Sequence, residues 1–246
     1  MERSVTRYRR GWIILVSGLV EPLLYLVGIG YGVGGLVGLV TSSNGARLPY
    51  AVFVAPALMA TSAMNGAIYE TSFNFFYKLK FMKLYDAILA TPLGVADIAF
   101  GEILWALIRG TIYAAGFIAF MAALHLLTSS WALLALPAAI LIGFTFAAVG
   151  TAATTFVRRW EDFDLVLIVL VPLFLFSGTF YPVTVYPAPL QVVVQLTPLY
   201  HGVDLLRSLT TGSIGPWIVG DLAYLIVLGV AALLLAAVRL QRLLLK

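Results

Sequence analysis

The chain has 246 residues, 62% of them hydrophobic and 11% charged, with a net charge of +4. A soluble domain carries roughly 25% charged residues, so polar side chains are too few here to cover a water-facing surface, and no nucleic-acid partner is implied. With no cysteine and only two histidines, His125 and His201, disulfides, thiolate nucleophiles and His- or Cys-rich metal centres are excluded.

Lipid forces backbone hydrogen bonds to close within helices or within a sealed barrel. The apolar runs are continuous rather than alternating, which selects helices. A crossing needs about 20 apolar residues, and the sequence predicts an all-α integral membrane protein with six spans. They cover residues 12–35, 50–68, 95–124, 131–157, 163–176 and 217–238, in one membrane domain of 1–246. The first apolar run, 12–40, is too long for a cleavable signal peptide and lacks a small-residue cleavage site. Its glycine-dense part, 27–35, suits close helix packing or a dimer contact.

Lys and Arg placement sets orientation. With the N-terminus inside and six alternating spans, the inside holds Arg3, Arg7, Arg9 and Arg10, then Lys78, Lys80 and Lys83. It also holds Arg158 and Arg159, then Arg239, Arg242 and Lys246. Only Arg47 and Arg207 fall outside, with Arg109 inside a span. Both termini are therefore expected in the cytoplasm. Trp12, Trp131 and Trp217 mark span ends, as an interfacial belt does.

Two connections exceed a turn. In the cytoplasmic loop 70–92, Phe73, Phe76, Leu79 and Phe81 interleave with Lys78, Lys80 and Lys83, a pattern expected of a helix lying at the membrane surface or of a basic interfacial anchor. The outer connection 177–216 contains Pro182, Pro187, Pro189 and Pro198 around the apolar run 190–196. Prolines interrupt helices, so a short re-entrant or interfacial hairpin is expected, its backbone covered by protein.

Ionisable groups within spans cost about 2.5–3.5 kcal/mol each at a helix centre, which makes each a functional candidate. Glu21, before Pro22, lies near mid-membrane; helix packing, a subunit interface, a substrate path and a proton relay are all open to it. The third span carries Asp97, Glu102 and Arg109. Glu102 and Arg109 share a face but stand roughly 10 Å apart along it, so each is expected to bond another helix or to line water. His125 reads as a boundary residue, and His201 as a local hydrogen-bonding group or a ligand contact. No GxSxG elbow, HExxH helix or GxxxxGK[ST] phosphate loop occurs. No catalytic residue or metal ligand is expected, and the chain is not read as an enzyme.

Three segments resemble the type-2 (ABC-2) permease family of ABC exporters. The stretch Phe176-Ser-Gly-Thr-Phe-Tyr-Pro-Val183, through Leu196-Thr-Pro-Leu-Tyr-His-Gly-Val-Asp-Leu-Leu-Arg207, resembles the family signature after the fifth span. Tyr85-Asp-Ala-Ile-Leu-Ala-Thr-Pro-Leu93 resembles the loop between spans two and three, and Gly101-Glu-Ile-Leu-Trp105 the segment after that loop. Glu21-Pro-Leu-Leu-Tyr-Leu-Val-Gly-Ile-Gly30 is similar to the first span, in the branch of nodulation-factor and daunorubicin exporters.

The resemblance implies an exporter permease in a bacterial plasma membrane, with two permease copies (identical or homologous) and two ABC ATPase subunits that bind the ATP and Mg. It implies a coupling helix at about 80–91, with Lys83, Tyr85, Asp86, Ala87, Leu89, Thr91 and Pro92 docking on the ATPase. It further implies an outer hairpin with Ser177, Gly178, Pro182, Pro198, His201 and Asp204. The cargo would be an amphipathic lipid, glycolipid or drug. Family members usually have a longer amphipathic segment before the first span; residues 1–11 imply a short one or a trimmed start. The competing reading, an ion-coupled secondary transporter, has only Glu21 as its deep ionisable group and shows no inverted repeat.

Overall fold

A computed structural model describes residues 20–42, 45–81, 85, 88 and 90–244. Among the described residues, five helices are long and apolar enough to cross a membrane: Val20–Val37, Tyr50–Lys80, Asp97–Ala123, Ser130–Thr154 and Trp217–Leu243. The first is α1, with a π-helical stretch at Leu26–Val33. A two-stranded antiparallel ribbon, β1 (Leu39–Thr41) and β2 (Arg47–Pro49), pairs Val40 with Leu48 and leads into α2.

α2 runs on well past the expected end of the second span at residue 68. It comprises an α-helical part, Tyr50–Tyr69, a π-turn, Glu70–Asn74, and a last stretch, Phe75–Lys80. The expectation of a separate surface helix in the 70–92 loop is thereby corrected in its first half. Phe73 and Phe76 continue the helix and pack on Phe163 at 4.4 and 5.2 Å between ring centroids, and on Trp160. Burying those aromatics outweighs the alternating charge pattern that suggested an interfacial helix.

α3 (Val95–Ala123) starts at Gly94, whose backbone N–H donates to the Asp97 carboxylate at 2.8 Å. Asp97 is thus an exposed helix cap rather than an intramembrane charge. His125, with φ of 54°, closes the far end of α3. α4 (Ala135–Thr154) is the hub, contacting α2, α3 and the last helix of the chain. α5 (Phe163–Leu175) has 13 residues, about 20 Å of helix, so the expected fifth span is shorter than the roughly 30 Å hydrocarbon core. α6 (Ala188–Gln195) and α7 (Pro198–Thr211) follow, each with a proline in its first turn, where the missing N–H costs no helix bond. α8 (Trp217–Leu244) completes the bundle.

Lys78, Arg158, Arg159 and Arg239 cluster at one end of the bundle, joined through the Phe73, Phe76, Trp160 and Phe163 rings and through Arg239 to the Thr155 carbonyl. At the opposite end, Thr128 bonds the Thr210 carbonyl and Trp217 bonds Ser208. Between them, α2 is the buried core: 78% of its most apolar stretch is enclosed, against 17% for α1 and 22% for α8. α1 and α8 therefore offer most of their surface to whatever surrounds the chain. α2 and α4 approach closely at Gly150, where a Cβ would fall 2.4 Å from Thr71 Oγ1.

Candidate functional site

The π-turn of α2 sets the site. It adds a residue to the turn and swings Glu70, Thr71 and Ser72 inward, all three buried. α3 runs antiparallel beside it, so positions 70 and 78 of α2 face positions 109 and 102 of α3. Glu70 pairs with Arg109 at 2.6 Å, and Lys78 pairs with Glu102 at 2.5 Å. Glu70 also accepts from Asn74 at 2.8 Å, and Arg109 Nε donates to the Tyr113 hydroxyl at 2.8 Å. The two pairs form a ladder along one interhelical seam. Glu102 and Arg109 are not partners of each other; each bonds across to α2.

Above the ladder opens a cavity of about 260 Å³. Glu21 and Tyr25 of α1, Ser62 and Asn65 of α2, Arg109 of α3 and Phe174 of α5 surround it. Glu21 lies roughly 24 Å along α1 from Val37 and makes no ion pair among the described residues. The cavity thus combines one exposed acid, hydroxyls, amides and aromatic faces, a lining that can hold a group with several hydrogen-bonding atoms.

Below the ladder, Tyr85 is 1% exposed. Its ring lies 5.3 Å from Phe75 and packs with Val95, Ile98, Ala99 and Leu240. Burial first, and then the neighbouring Glu102 carboxylate, push its phenol pKa well above the usual value. Tyr85 therefore stays neutral and anchors its loop beside the Lys78–Glu102 pair. Thr91 is exposed and bonds the Ile88 carbonyl at 2.6 Å, and Pro92 is exposed. Lys83, Asp86, Ala87 and Leu89 lie outside the described residues.

The hairpin residues gather toward the opposite end. The Ser177 and Thr179 hydroxyls share a 2.8 Å hydrogen bond. Gly178 takes φ of 72°, a left-handed conformation that favours glycine. Pro182 precedes the turn Val183–Val185, and Pro198 opens α7. His201 Nδ1 meets Asp221 Oδ1 at 2.7 Å while its ring stacks on Tyr224 at 4.0 Å. Asp204 lines a separate small pocket with Arg207. Glu102, Arg109 and Tyr85 thus converge on the α2–α3 seam, Glu21 faces the cavity beside it, and Ser177, Gly178, Pro182, Pro198, His201 and Asp204 do not join them. Among the described residues, no group of three or more His, Cys, Asp or Glu could hold a metal ion.

Sequence reasoning missed Glu70, Lys78, Arg207 and Asp221 as partners. Glu70 and Lys78 were legible in principle, because a helix extended through residue 80 puts an acid and a base opposite Arg109 and Glu102. Nothing local signalled the Arg207 contacts.

The family model of the ABC-2 type transporter matches residues 1–210. The chain is 34% identical over 199 residues to nodulation protein J of Rhizobium leguminosarum bv. trifolii, covering 80% of this chain and 74% of that one. With nodulation protein J of Sinorhizobium fredii it shares 31% identity over 244 residues, covering 98% and 90%. The inner membrane transport permease YadH of Escherichia coli is 25% identical over 214 residues, covering 83% and 78%.

Proposed function

The chain belongs to the ABC-2 type transporter family, and from that premise we propose that it is the membrane-spanning permease of an ATP-driven exporter in a bacterial plasma membrane. ATP, with its Mg, is bound and hydrolysed by separate ABC ATPase subunits, two per complex, and a second permease, identical or homologous, completes the pathway. Six spans result if α5 and the turn after it cross as the short fifth one. Both termini then lie in the cytoplasm, and α6 and α7 form a re-entrant hairpin on the outer side.

The observation that carries this reading is the linkage along α2 and α3. Tyr85, beneath the proposed docking loop, lies near Glu102; Glu102 holds Lys78; and one step deeper Glu70 holds Arg109, which lines the cavity. A push on the loop by a closing ATPase reaches the cavity through packed side chains and ion pairs. The exposed glycine row Gly28, Gly32 and Gly35 of α1, with nothing within 4 Å of their would-be Cβ positions, supports a second permease on that side. The polar cavity beside open apolar surface fits an amphipathic cargo, with a hydrogen-bonding head and a lipid-soluble remainder: a lipid, a glycolipid or a drug.

The test is purification of the tagged chain in mild detergent, with mass spectrometry of co-purifying subunits and reconstitution into vesicles. A stoichiometric ATPase and cargo movement that stops without ATP support the proposal. Transport driven by an ion gradient in the chain alone overturns it in favour of a secondary transporter.

A further inference from the structure

We propose that the pocket between Asp204 and Arg207, at the end opposite the basic cluster, binds a phosphoethanolamine-type group, one that carries an anionic oxygen and an ammonium donor side by side. The inference does not depend on the export reading. The pocket measures about 260 Å³ and is lined by these two charges, Trp217 and the hydroxyls of Ser42, Thr211 and Ser213. It has room for a small headgroup.

Arg207 is only 7% exposed. Its Nε donates to the Phe53 carbonyl at 3.1 Å, its Nη2 to the Gly178 carbonyl at 2.8 Å, and its Cζ lies 3.8 Å from the Phe53 ring centroid. A guanidinium carries five N–H donors and cannot shed its charge. Two carbonyls use two of them, and among the described residues no carboxylate closes an ion pair with it. Asp204 lies near enough to favour the Arg207 charge but not to pair with it, so the remaining N–H donors of Arg207 are open to an anionic oxygen.

Asp204 stands three residues earlier on the same helix, where a direct pair would be within reach. Instead its half-buried carboxylate makes no hydrogen bond among the described residues. Opposite charges are therefore held apart across a hydroxyl-lined space. A simple anion would be drawn to Arg207 and repelled by Asp204, and a simple cation would meet the reverse. A group bearing both signs satisfies both residues at once.

Depth points the same way. Trp217 and Trp131, about half exposed, sit at the starts of their helices at this end, and tryptophans of this kind collect at the level of lipid headgroups. A membrane lipid and a soluble phosphoamine share the required chemistry.

The test uses the full chain, delipidated in detergent and then offered phosphatidylethanolamine, phosphatidylglycerol or soluble O-phosphoethanolamine, with native mass spectrometry as the readout. Arg207 is left intact because it clamps Gly178 to Phe53. Phosphatidylethanolamine is expected to be retained about tenfold better than phosphatidylglycerol, the scale of one lost charge-assisted bond. Asp204→Asn, and independently Ser213→Trp, which fills the rim, should remove that preference. Displacement of the lipid by soluble O-phosphoethanolamine identifies the headgroup alone as sufficient; retention against it identifies the intact lipid as the occupant. Equal retention of the two lipids, or a preference untouched by both substitutions, overturns the proposal.

Discussion

Removing Arg109 while leaving Glu70 in place should cost far more than removing both. Glu70 is 3% exposed, against 19% for the Arg109 side chain, so the carboxylate is the partner that cannot reach water. In Arg109→Met it keeps, among the described residues, the Asn74 amide at 2.8 Å alone, and stranding one member of a buried pair costs about 3–5 kcal/mol. In a chain of this size that corresponds to a fall in melting temperature on the order of 10 °C. Replacing both charges, Glu70→Leu with Arg109→Met, removes the stranded carboxylate as well as the attraction, and buried pairs exchanged for apolar residues are often close to neutral. Thermal melts of the four members of the cycle, in one detergent and at one pH, measure this. The double variant should melt above Arg109→Met. If the two single losses simply add, or if Arg109→Met shifts the midpoint by less than the scatter, the pair is not the buried tie described here.

Four other substitutions probe the remaining links. Gly150→Ala places a methyl 2.4 Å from Thr71 Oγ1 and 3.4 Å from the Ile68 Cα; overpacking at such a contact costs about 1–3 kcal/mol, so a measurable drop in melting temperature is expected, and an unchanged melt would mean that α2 and α4 do not meet there. Tyr85→Arg, and likewise Asp86→Arg, should leave the chain inserted but separate ATP hydrolysis from transport in reconstituted vesicles; coupling equal to that of the parent would remove this loop from the drive. Asp162 accepts from the backbone N–H groups of Arg159 and Arg158 at 3.0 and 2.8 Å, and these bonds hold its carboxyl below the usual range. A depressed acid stabilises the folded turn above its unfolded pKa and loses that contribution as pH falls through the folded value. A variant that retains Trp160 as its sole tryptophan should therefore change fluorescence only below about pH 4, and the change should vanish in Asp162→Asn.

How much of this is legible in the sequence depends on the range of the interaction. The stretches around 95–124, 131–157 and 217–238 are legible because span length and apolar run are local properties, and the helices found there differ by only a few residues or, at the end of α8, by about one and a half turns. The apolar run alone ends the second helix too early, at residue 68. Phe73, Phe76 and Lys78 look amphipathic in isolation, and only the Phe163 and Trp160 rings, some ninety residues away, show that the aromatic face is buried. That truncation hides Glu70 and Lys78 from Arg109 and Glu102: the shared face of the two α3 charges is evident from their spacing, but their partners are not. The glycine run is half legible. Gly30 and Gly34 lie against Ala51 and Tyr50, whereas Gly28, Gly32 and Gly35 touch nothing. In the sequence Arg207 counts only as a charge outside the membrane, since its role rests on two carbonyls, those of Phe53 and Gly178, that no local pattern specifies.

The polar side chains of this bundle fall into two groups with different mechanical consequences. Thr61, Thr71, Thr111, Thr151 and Thr210 bond carbonyls one turn back on their own helices. Such hydroxyls are satisfied in an apolar surrounding without tying one helix to another. Sliding along those faces breaks no hydrogen bond and trades one apolar contact for another. The cross-helix bonds are specific: Thr145 to the Leu225 carbonyl, Thr154 to the Thr71 carbonyl, Ser72 to the Gly150 carbonyl, Arg207 to Phe53 and Gly178, His201 to Asp221, Trp217 to Ser208, and the two ion pairs of the α2–α3 seam. α2 enters most of these connections, and α4 ties it to α8, so both behave as a fixed frame. α1 and α5 contribute to none of them, yet both line the polar cavity. A change in cavity shape is therefore cheapest if α1 and α5 move against a stationary α2–α3–α4 core, which places Glu21 and Phe174 on the moving side and Arg109 and Asn65 on the fixed one.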